Sequence, residues 1–467
     1  MKFGGTSVAD AEAMTRVSNI VRGQLEANPN DPPPVVVVSA MSKVTDRLVE
    51  AARLTGEGEA DQAVTLLGEL LERHIGVART LVGAAALPPL VAAVTKDFDE
   101  VVALVRKIGP AHDVSPQATD TIHALGELAS SRIVASAFLE RQIPAAWVDS
   151  RQILVTDAEH TAAVPDMDAT CRKISEMVGS KRKAGQGAPG DHVAQVPVLG
   201  GFIGATAAGV TTTLGRGGSD YSAAIFGACL DVDEIQIWTD VDGMLSADPR
   251  IVQAPLLVPQ LSFAEASELA YFGAKVLHPS TILPAVAKNI PVRILNSRRP
   301  EVAGTMITAD GRSGGSPLTA LACKRSVTVV DITSTRMLMA HGFLRRLFEV
   351  FERFRTPVDV VTTSEVSVSV TVDNPRRLED IVSNLVSFAE VNCEPEMAIV
   401  CAVGENLRAD PTIFSRAVTS LDRIPLRLVS QAASRRNITF VIRDADVPEA
   451  MARLHHEFFE QGQARTD

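Results

Sequence analysis

The chain has 467 residues, 46% apolar and 22% charged, an ordinary globular usage that excludes wholesale disorder and fibrous repeats and leaves room for roughly three domains. Acids outnumber bases by 56 to 45, for a net charge of −11. Nucleic acid needs a basic footprint, so it is not an expected partner, whereas a local basic pocket for a small phosphate is compatible with this balance.

Met1-Lys2-Phe3-Gly4-Gly5-Thr6-Ser7 opens the chain and leads into a helix, with Val8, Met14, Val17, Ile20 and Val21 at helical spacing until about Leu25. Thr6 and Ser7 are candidates to cap it. Asp31-Pro32-Pro33-Pro34 is a loop. The β-branched run at 35–38 marks a strand buried on both faces. Residues 43–140 read as helix, interrupted near Gly56, Pro88-Pro89 and Gly109-Pro110. Short strands follow at 145–150 and 152–156, then an exposed Gly- and Lys-rich loop at 181–191. A strand at 196–203, a helix at 219–230, a strand at 234–239, a helical stretch at 263–289 and a strand at 291–296 complete an alternation. It predicts an α/β domain with a mostly parallel sheet sandwiched by helices.

Residues 198–215 form an uncharged run of 18, long enough for a bilayer. Five glycines, four threonines and few large aliphatics fit strand, turn and second strand better, and no membrane association is expected. No secretory leader pattern is read at the start. The five cysteines (Cys171, Cys229, Cys323, Cys393, Cys401) are odd in number and form no CxxC. They are expected as buried, reduced thiols in the cytoplasm.

The cluster of Gly and Ser at 304–317 marks a boundary. Beyond it, VTVVDI at 327–332 is echoed by AIVCAV at 398–403. Each strand is followed by a helix (343–354, 412–421), a Pro-started strand (357–361, 425–429) and an alternating strand (366–372, 437–442), and a last helix starts near Pro448. Two β-α-β-β units of roughly 70 residues are therefore expected.

Four segments place glycine, hydroxyl and charge just past a predicted strand, where open α/β sheets bind ligands. In Lys2-Phe3-Gly4-Gly5-Thr6-Ser7, the glycines allow close approach of an anion and Lys2 adds a cation. It is not GxxxxGK[ST], which occurs nowhere in the chain. In Thr211-Thr212-Thr213-Leu214-Gly215-Arg216-Gly217-Gly218-Ser219-Asp220, Arg216 suits a bidentate grip on carboxylate or phosphate, and Asp220 is either functional or a capping acid. Trp238-Thr239-Asp240-Val241-Asp242-Gly243, continuing to Asp248-Pro249-Arg250, offers acids to Mg²⁺ or is only a turn. Gly273-Ala274-Lys275 sets a lysine at a helix break. Glu127, within apolar helix, either anchors a cation or lies on a solvated face. No Ser-His-Asp set or zinc spacing occurs, so no metal ligand is assigned. Lys2, Arg216 and Lys275 would neutralise a polyphosphate, and phosphoryl transfer needs little more than positioning and charge neutralisation.

KFGGTSVAD, TTTLGRGGSDYSAA, WTDVDGMLSADPR and FAEASELAYFGAKVLHPSTILPAV together resemble the aspartate kinases of the amino-acid kinase family, over essentially the whole chain. The C-terminal repeat, with HGFL at 341–344 and VDVVTTSEVSVSV at 358–370, resembles their tandem ACT domains. The resemblance implies a catalytic domain over 1–305, a linker over 306–324 and two α+β, ferredoxin-like ACT domains over 325–395 and 396–467, the latter sharing a strand from 317–325. It implies transfer of phosphate from ATP, accompanied by Mg²⁺, to L-aspartate, giving 4-phospho-L-aspartate for lysine, threonine and methionine synthesis in the cytoplasm. It also implies a homodimer or tetramer joined through the ACT domains.

Carried over by position, Lys2 stabilises the phosphoryl group in flight, and Gly4, Gly5, Thr6 and Ser7 line the phosphates. Arg216 holds the substrate α-carboxylate and Glu127 its amino group. Ser39, Thr45, Phe202 and Ser219 match substrate-side positions, Asp220 orients Lys2, and Thr239, Asp240, Arg250 and Lys275 match the nucleotide side. Met339, Ala340, Gly342, Phe343, Leu344, Val358, Asp359, Ser364 and Glu365 match an effector pocket most like that of lysine-inhibited members. Asp359 and Glu365 would take the effector's ammonium groups, with threonine the alternative effector. Two departures stand out. Only Met1 precedes Lys2, where the family strand carries several apolar residues, which predicts a loosely held Lys2. Ala340 and Pro357 replace expected hydroxyl side chains, which predicts a weaker or different effector. A non-catalytic amino-acid sensor, a kinase of glutamate or acetylglutamate, and the kinase half of a bifunctional enzyme are the competing readings.

Overall fold

A computed structural model describes residues 1–179, 194–274, 279–311, 316–334, 341–431 and 434–460. The chain divides into two units, Met1–Met244 with Leu277–Ala309, and Leu245–Val276 with Asp310–Asp467. The loop read at 181–191 lies outside the described residues. Among them, no helix is long and apolar enough to cross a membrane.

The strands of the first unit are β1 (Lys2–Phe3), β2 (Val36–Val38), β3 (Ala145–Val148), β4 (Val155–Thr156), β5 (Val196–Gly200), β6 (Ile203–Thr206), β7 (Thr211–Thr213) and β8 (Ile235–Thr239). After β9 (Gln260–Ser262), which belongs to the second unit, come β10 (Val292–Asn296) and β11 (Thr305–Thr308). The main sheet runs β3-β5-β2-β1-β8-β10-β11. Its pairings are parallel except β10 with β11. A smaller sheet runs β4-β6-β7. β2 is wholly buried, as its β-branched run predicts for a sheet covered on both faces.

Short as it is, β1 is central. Lys2 lies opposite Val37 and Ile237, and Phe3 opposite Val38 and Trp238. The Met1 carbonyl accepts from Val37 N at 2.9 Å, and the Gly4 N–H donates to the Trp238 carbonyl at 3.0 Å. The expectation of a loosely held Lys2 is therefore corrected: pairing on both sides fixes its backbone, and its side chain is buried.

Five α-helices lie between β1 and β3, the first of them before β2: α1 (Ala11–Ala27), α2 (Val44–Gly56), α3 (Ala60–Leu81), α4 (Leu87–Ile108) and α5 (Pro116–Glu140). Neither Thr6 nor Ser7 caps α1. They lie in a 3₁₀ turn over Gly5–Val8, and Asp10 is the cap, accepting from Ala13 N at 2.8 Å. The break expected at Pro88-Pro89 falls before them, because both prolines sit in the first turn of α4, where no N–H partner is needed. α5 starts at a Ser115 cap with Pro116 in its first turn and is buried almost all round, hence its apolar sequence without a polar stripe. Gly126 is needed there: a Cβ would stand 2.7 Å from Ala40 Cβ.

The helix read over 263–289 is not continuous. It spans Phe263–Tyr271, with a capping box from Ser262 and Glu265, and among the described residues a 3₁₀ turn over Pro279–Ile282 leads into a separate helix, Leu283–Ala287. Gly273 has φ +114°, and a Cβ on it would lie 2.3 Å from the Cys323 carbonyl oxygen. Backbone contact thus ends this helix.

The expectation of five free thiols is also overturned. Cys171 and Cys229 form a disulfide, 58 positions apart in sequence, because the Met167–Met177 and Gly218–Leu230 helices bring their Cα atoms to 4.7 Å. Denatured, unreduced protein is expected to titrate with three thiols, Cys323, Cys393 and Cys401, rather than all five. A count of five before reduction would contradict the bond.

The second unit carries a six-stranded antiparallel sheet in the order β13-β14-β12-β15-β17-β16. Its strands are β12 (Ala320–Thr333), β13 (Val361–Thr363), β14 (Ser367–Val372), β15 (Glu390–Val403), β16 (Leu428–Ser430) and β17 (Asn437–Arg443). The long strands β12 and β15 pair from Ala320 opposite Val403 to Thr333 opposite Glu390, so each contributes to both repeats. Helices Phe343–Arg353 and Leu378–Leu385 complete the first repeat, and Pro411–Ser420 and Val447–His455 the second. Leu378–Leu385 is the element that the sequence reading lacks. The edge strands begin at Val361 and Leu428, later than their prolines, which cannot donate to a ladder. Each repeat has its own core: Ile332, Leu347, Phe351, Val370 and Leu385 in one, and Val400, Ile413, Phe440, Ile442 and Met451 in the other.

Candidate active site

The sheet order β5-β2-β1-β8 sets four chain segments side by side at the carboxyl ends of parallel strands. These are Gly4-Gly5 after β1, Ser39 after β2, Gly200 to Phe202 at the end of β5, and Thr239-Asp240 at the end of β8. Such ends form the crevice that binds ligands in this architecture.

Lys2 is the centre. Its Nζ lies 2.7 Å from Asp220 Oδ1, with side chains 10% and 17% exposed. Asp220 stands in the first turn of the Gly218–Leu230 helix, entered through Gly217 at φ 74° with no side-chain cap. The acid thus serves as partner to the lysine, not as a cap, and the positive end of the helix faces the same region. Gly4 is buried beneath Lys2, where a Cβ would sit 3.6 Å from Nζ and 3.5 Å from the Trp238 carbonyl oxygen. At Gly5 it would come within 3.0 Å of the Ala40 carbonyl oxygen. Thr6 is half-buried. Ser7 is buried, its hydroxyl 2.8 Å from Ser297 Oγ.

Glu127 is the second focus. Its Oε1 accepts from the Ala40 N–H at 3.0 Å, while Oε2 is buried without a hydrogen-bond partner. Burial pushes its carboxyl up to about 8, against the opposing pull of the Ala40 N–H and the Lys2 charge. Ser130, one turn along α5, donates to the Ser39 carbonyl at 2.8 Å and holds the end of β2 against this helix. Ser130 was missed in the sequence, although its i+3 spacing from Glu127 places it on the same face.

The turn after β5 meets the glycine loop before the Gly218–Leu230 helix. Phe202 has φ 66°. Its N–H donates to Ser222 Oγ at 2.9 Å, and its carbonyl accepts from Leu214 N at 3.0 Å. A Cβ on Gly201 would lie 2.8 Å from Ser219 Cα, and one on Gly218 2.6 Å from the Phe202 ring. These glycines let the two turns touch. Arg216 stands exposed on that turn, and Thr45 half-buried in the first turn of α2.

At the end of β8, Thr239 Oγ1 lies 3.3 Å from Asp240 Oδ1, and Asp240 is exposed. Asp242 is engaged by Asn296 at 2.7 Å and Arg299 at 2.6 Å. Arg250 belongs to the second unit, paired with Asp248 at 2.5 Å. Lys275 lies outside the described residues. Among those described, no group of three or more His, Cys, Asp or Glu is set to hold a metal.

In the second unit, Gly342 at φ 83° precedes the Phe343–Arg353 helix. Phe343 stacks edge-on against Phe388, and Leu344 is exposed. The Asp359 side chain is only 4% exposed and pairs with Lys324 Nζ at 2.8 Å. Its Oδ2 has no hydrogen-bond partner. Lys324 also lies 3.4 Å from Asp373 and 4.9 Å from the Tyr271 ring centre. The Tyr271 hydroxyl reaches the Val358 carbonyl at 3.5 Å, and burial, followed by Asp359, pushes its pKa up to about 12. Ser364 bonds Ser367 Oγ at 2.7 Å, and Glu365 is exposed. Met339 and Ala340 lie outside the described residues.

The model of the amino acid kinase family matches residues 1–296 and that of an ACT domain residues 400–458. Aspartokinase 1 (chloroplastic) of Arabidopsis thaliana is 35% identical over 477 aligned positions, covering 99% of this chain and 80% of the relative. The lysine-sensitive aspartokinase 3 of Escherichia coli strain K12 is 32% identical, with 98% of each chain covered. A solved structure of Escherichia coli aspartokinase III in complex with aspartate and ADP, described as the R-state, superposes with a TM-score of 0.80 at 31% identity, covering 98% of this chain and 99% of that one. The match spans an α/β kinase domain and an ACT-type unit, and the chain belongs to the aspartokinase family of kinases.

Proposed function

We propose that this chain transfers the γ-phosphoryl group of ATP to the side-chain carboxylate of L-aspartate. The bond from γ-phosphorus to the bridging oxygen breaks, a carboxylate oxygen–phosphorus bond forms, and ADP and 4-phospho-L-aspartate leave without net proton transfer. The observation that carries this reading is the Lys2–Asp220 pair at the carboxyl end of β1, beside the buried Glu127. Two negative partners must meet, so a fixed cation where charge develops is the main requirement. Asp220 holds Lys2 in place, Gly4, Gly5, Thr6 and Ser7 shape the phosphate side, and Thr239 and Asp240 face the nucleotide. Arg216 takes the α-carboxylate of aspartate and Glu127 its ammonium, with Ser39, Thr45, Phe202 and Ser219 around them. Mg²⁺ enters with ATP as its counter-ion. The reading includes a catalytic domain over 1–305, a linker over 306–324, ACT domains over 325–395 and 396–467, dimers or tetramers joined through the latter, and a place at the start of lysine, threonine and methionine synthesis in the cytoplasm.

The decisive test is ATP-dependent acyl-phosphate formation trapped with hydroxylamine, with L-aspartate or L-glutamate as acceptor. Turnover with aspartate alone is expected. Turnover only with glutamate, or amino-acid binding without turnover, would overturn it.

We further propose that an amino acid, lysine in preference to threonine, binds the ACT unit around Gly342, Phe343, Leu344, Val358, Asp359, Ser364 and Glu365, with Met339 and Ala340. The buried, partner-free Oδ2 of Asp359 supports a cationic ligand, and one relative is by name lysine-sensitive. Calorimetry is expected to show lysine binding to the whole protein, weakened about tenfold or more by Asp359→Asn, on the scale of one lost charged hydrogen bond. Heat from threonine and none from lysine would contradict the assignment.

A further inference from the structure

Asp120 lies on α5 two helical turns before Glu127, and none of its side chain is exposed. A buried carboxylate is costly unless every oxygen is engaged. Here Oδ1 accepts from Thr213 Oγ1 at 2.6 Å and from the Thr161 N–H at 3.0 Å, and Oδ2 lies 2.6 Å from His160 Nδ1. These partners come from two separate segments. Thr213 ends β7, three residues before Arg216. His160 and Thr161 belong to the loop at 157–165. The loop is also joined to β7, because Ala163 N donates to the Thr213 carbonyl at 2.9 Å.

The loop is held in an unfavourable form. Thr161 has φ 71°, a left-handed backbone that a β-branched residue rarely adopts, and Asp120 binds the N–H of that residue. The Thr161 carbonyl then faces Gly215, where a Cβ would lie 3.1 Å away and φ is 74°. The substrate-side turn therefore rests on the 157–165 loop from below and continues β7, and one buried carboxylate fixes both. Backbone strain that the surroundings over-determine is characteristic of functional sites. Asp120 and His160 lie outside the sequence motifs, Thr213 lies within the Thr211–Asp220 segment without a role assigned to it, and the reaction chemistry calls on none of the three.

We propose that Asp120 is a positioning residue for substrate binding: it clamps Thr213 and the Thr161 turn and thereby holds the Gly215-Arg216-Gly217 turn where the Arg216 guanidinium meets the aspartate α-carboxylate. The inference rests on the reading of Arg216 given above. Misplacement of a binding group by a fraction of an ångström to 1 Å is enough to cost an order of magnitude or more.

The test is steady-state kinetics of the full-length protein with both substrates varied. Asp120→Asn, which keeps the shape and loses acceptors, is expected to raise KM for aspartate about tenfold or more, leaving KM for ATP and kcat within roughly threefold. Thr213→Val is expected to act in the same direction, and Thr213→Ser, which retains the hydroxyl, to remain near the parent. In an Arg216→Ala background, Asp120→Asn should add little further rise, since both act through one contact. A general loss in kcat and both KM values would show a merely structural role and overturn the inference. So would an unchanged aspartate KM in both Asp120→Asn and Thr213→Val while Arg216→Ala raises it. If Arg216→Ala itself leaves the aspartate KM unchanged, the reading of Arg216 falls instead. Should Asp120→Asn not fold, the contrast between Thr213→Val and Thr213→Ser decides alone.

Discussion

Lys2→Ala is expected to lower kcat by about 10²–10³-fold, the scale on which removal of one preorganised charge-stabilising donor acts, while the fold survives. The main-chain ladder that Lys2 forms with Val37 and Ile237 does not involve its side chain, so alanine keeps β1 in the sheet. What is lost is the ammonium group 2.7 Å from Asp220. That leaves Asp220 without its cation at 17% side-chain exposure, and a stability loss below the roughly 3–5 kcal/mol of a fully buried broken pair follows. Circular dichroism should be unchanged and the melting temperature lowered by a few degrees at most. Asp220→Asn frees Lys2 without removing it and should cost less in kcat. The double variant should be no worse than Lys2→Ala, because Asp220 acts through Lys2. Near-normal turnover of Lys2→Ala would remove Lys2 from the mechanism.

Glu127→Gln is expected to raise KM for aspartate by about 10–100-fold, the worth of one hydrogen bond between charged groups at a desolvated site, and to abolish a pH dependence. Burial raises the Glu127 carboxyl from its ordinary 4.5 to about 8, so in the empty protein it is neutral at neutral pH. An ammonium group binding to it favours the carboxylate. Aspartate binding should therefore release a proton at neutral pH, and KM for aspartate should fall as pH rises toward 8. Calorimetry in buffers of different ionisation heat measures the proton directly. The same shift has a stability consequence of opposite sense. Between pH 4.5 and about 8, the folded chain holds a proton that the unfolded chain has lost. The contribution of this group is therefore fully present below 4.5 and declines as pH rises toward 8, by at most about 1.4 kcal/mol per pH unit. Glu127→Gln should flatten that slope. A parent enzyme whose aspartate KM is flat across the range would disprove the ammonium role.

Much of the architecture is legible locally. The valine run at Val36–Val38 announces a doubly covered strand because parallel sheets bury both faces. The Gly-rich segments announce close backbone approach, and Gly201, Gly218 and Gly5 each meet a neighbour that a Cβ would strike. The C-terminal repeat is readable because each unit re-uses the same order of turn residues and alternating strands. Where local reading failed, a non-local contact had intervened. The Phe263–Tyr271 helix stops because Gly273 abuts the Cys323 carbonyl, and α1 waits for Asp10 because the chain first makes another turn beside β8.

The chemistry-bearing residues stood out in the sequence as types: lysine beside two glycines, arginine and aspartate at a helix start, an acid within apolar helix. Their states did not. Lys2 and Asp220 become an ion pair because β1 lies next to β8 and β2 in the sheet, with the Gly218–Leu230 helix starting above it. Glu127 becomes a proton-holding acid because α5 is buried around it. Cys171 and Cys229 become partners because two helices pack. Asp120 becomes a clamp because β7 and the 157–165 loop close on it. Periodicity and backbone demands are short-range and are written residue by residue. Charge pairing and desolvation depend on which segments the sheet order brings together, and that arises only once the chain has folded.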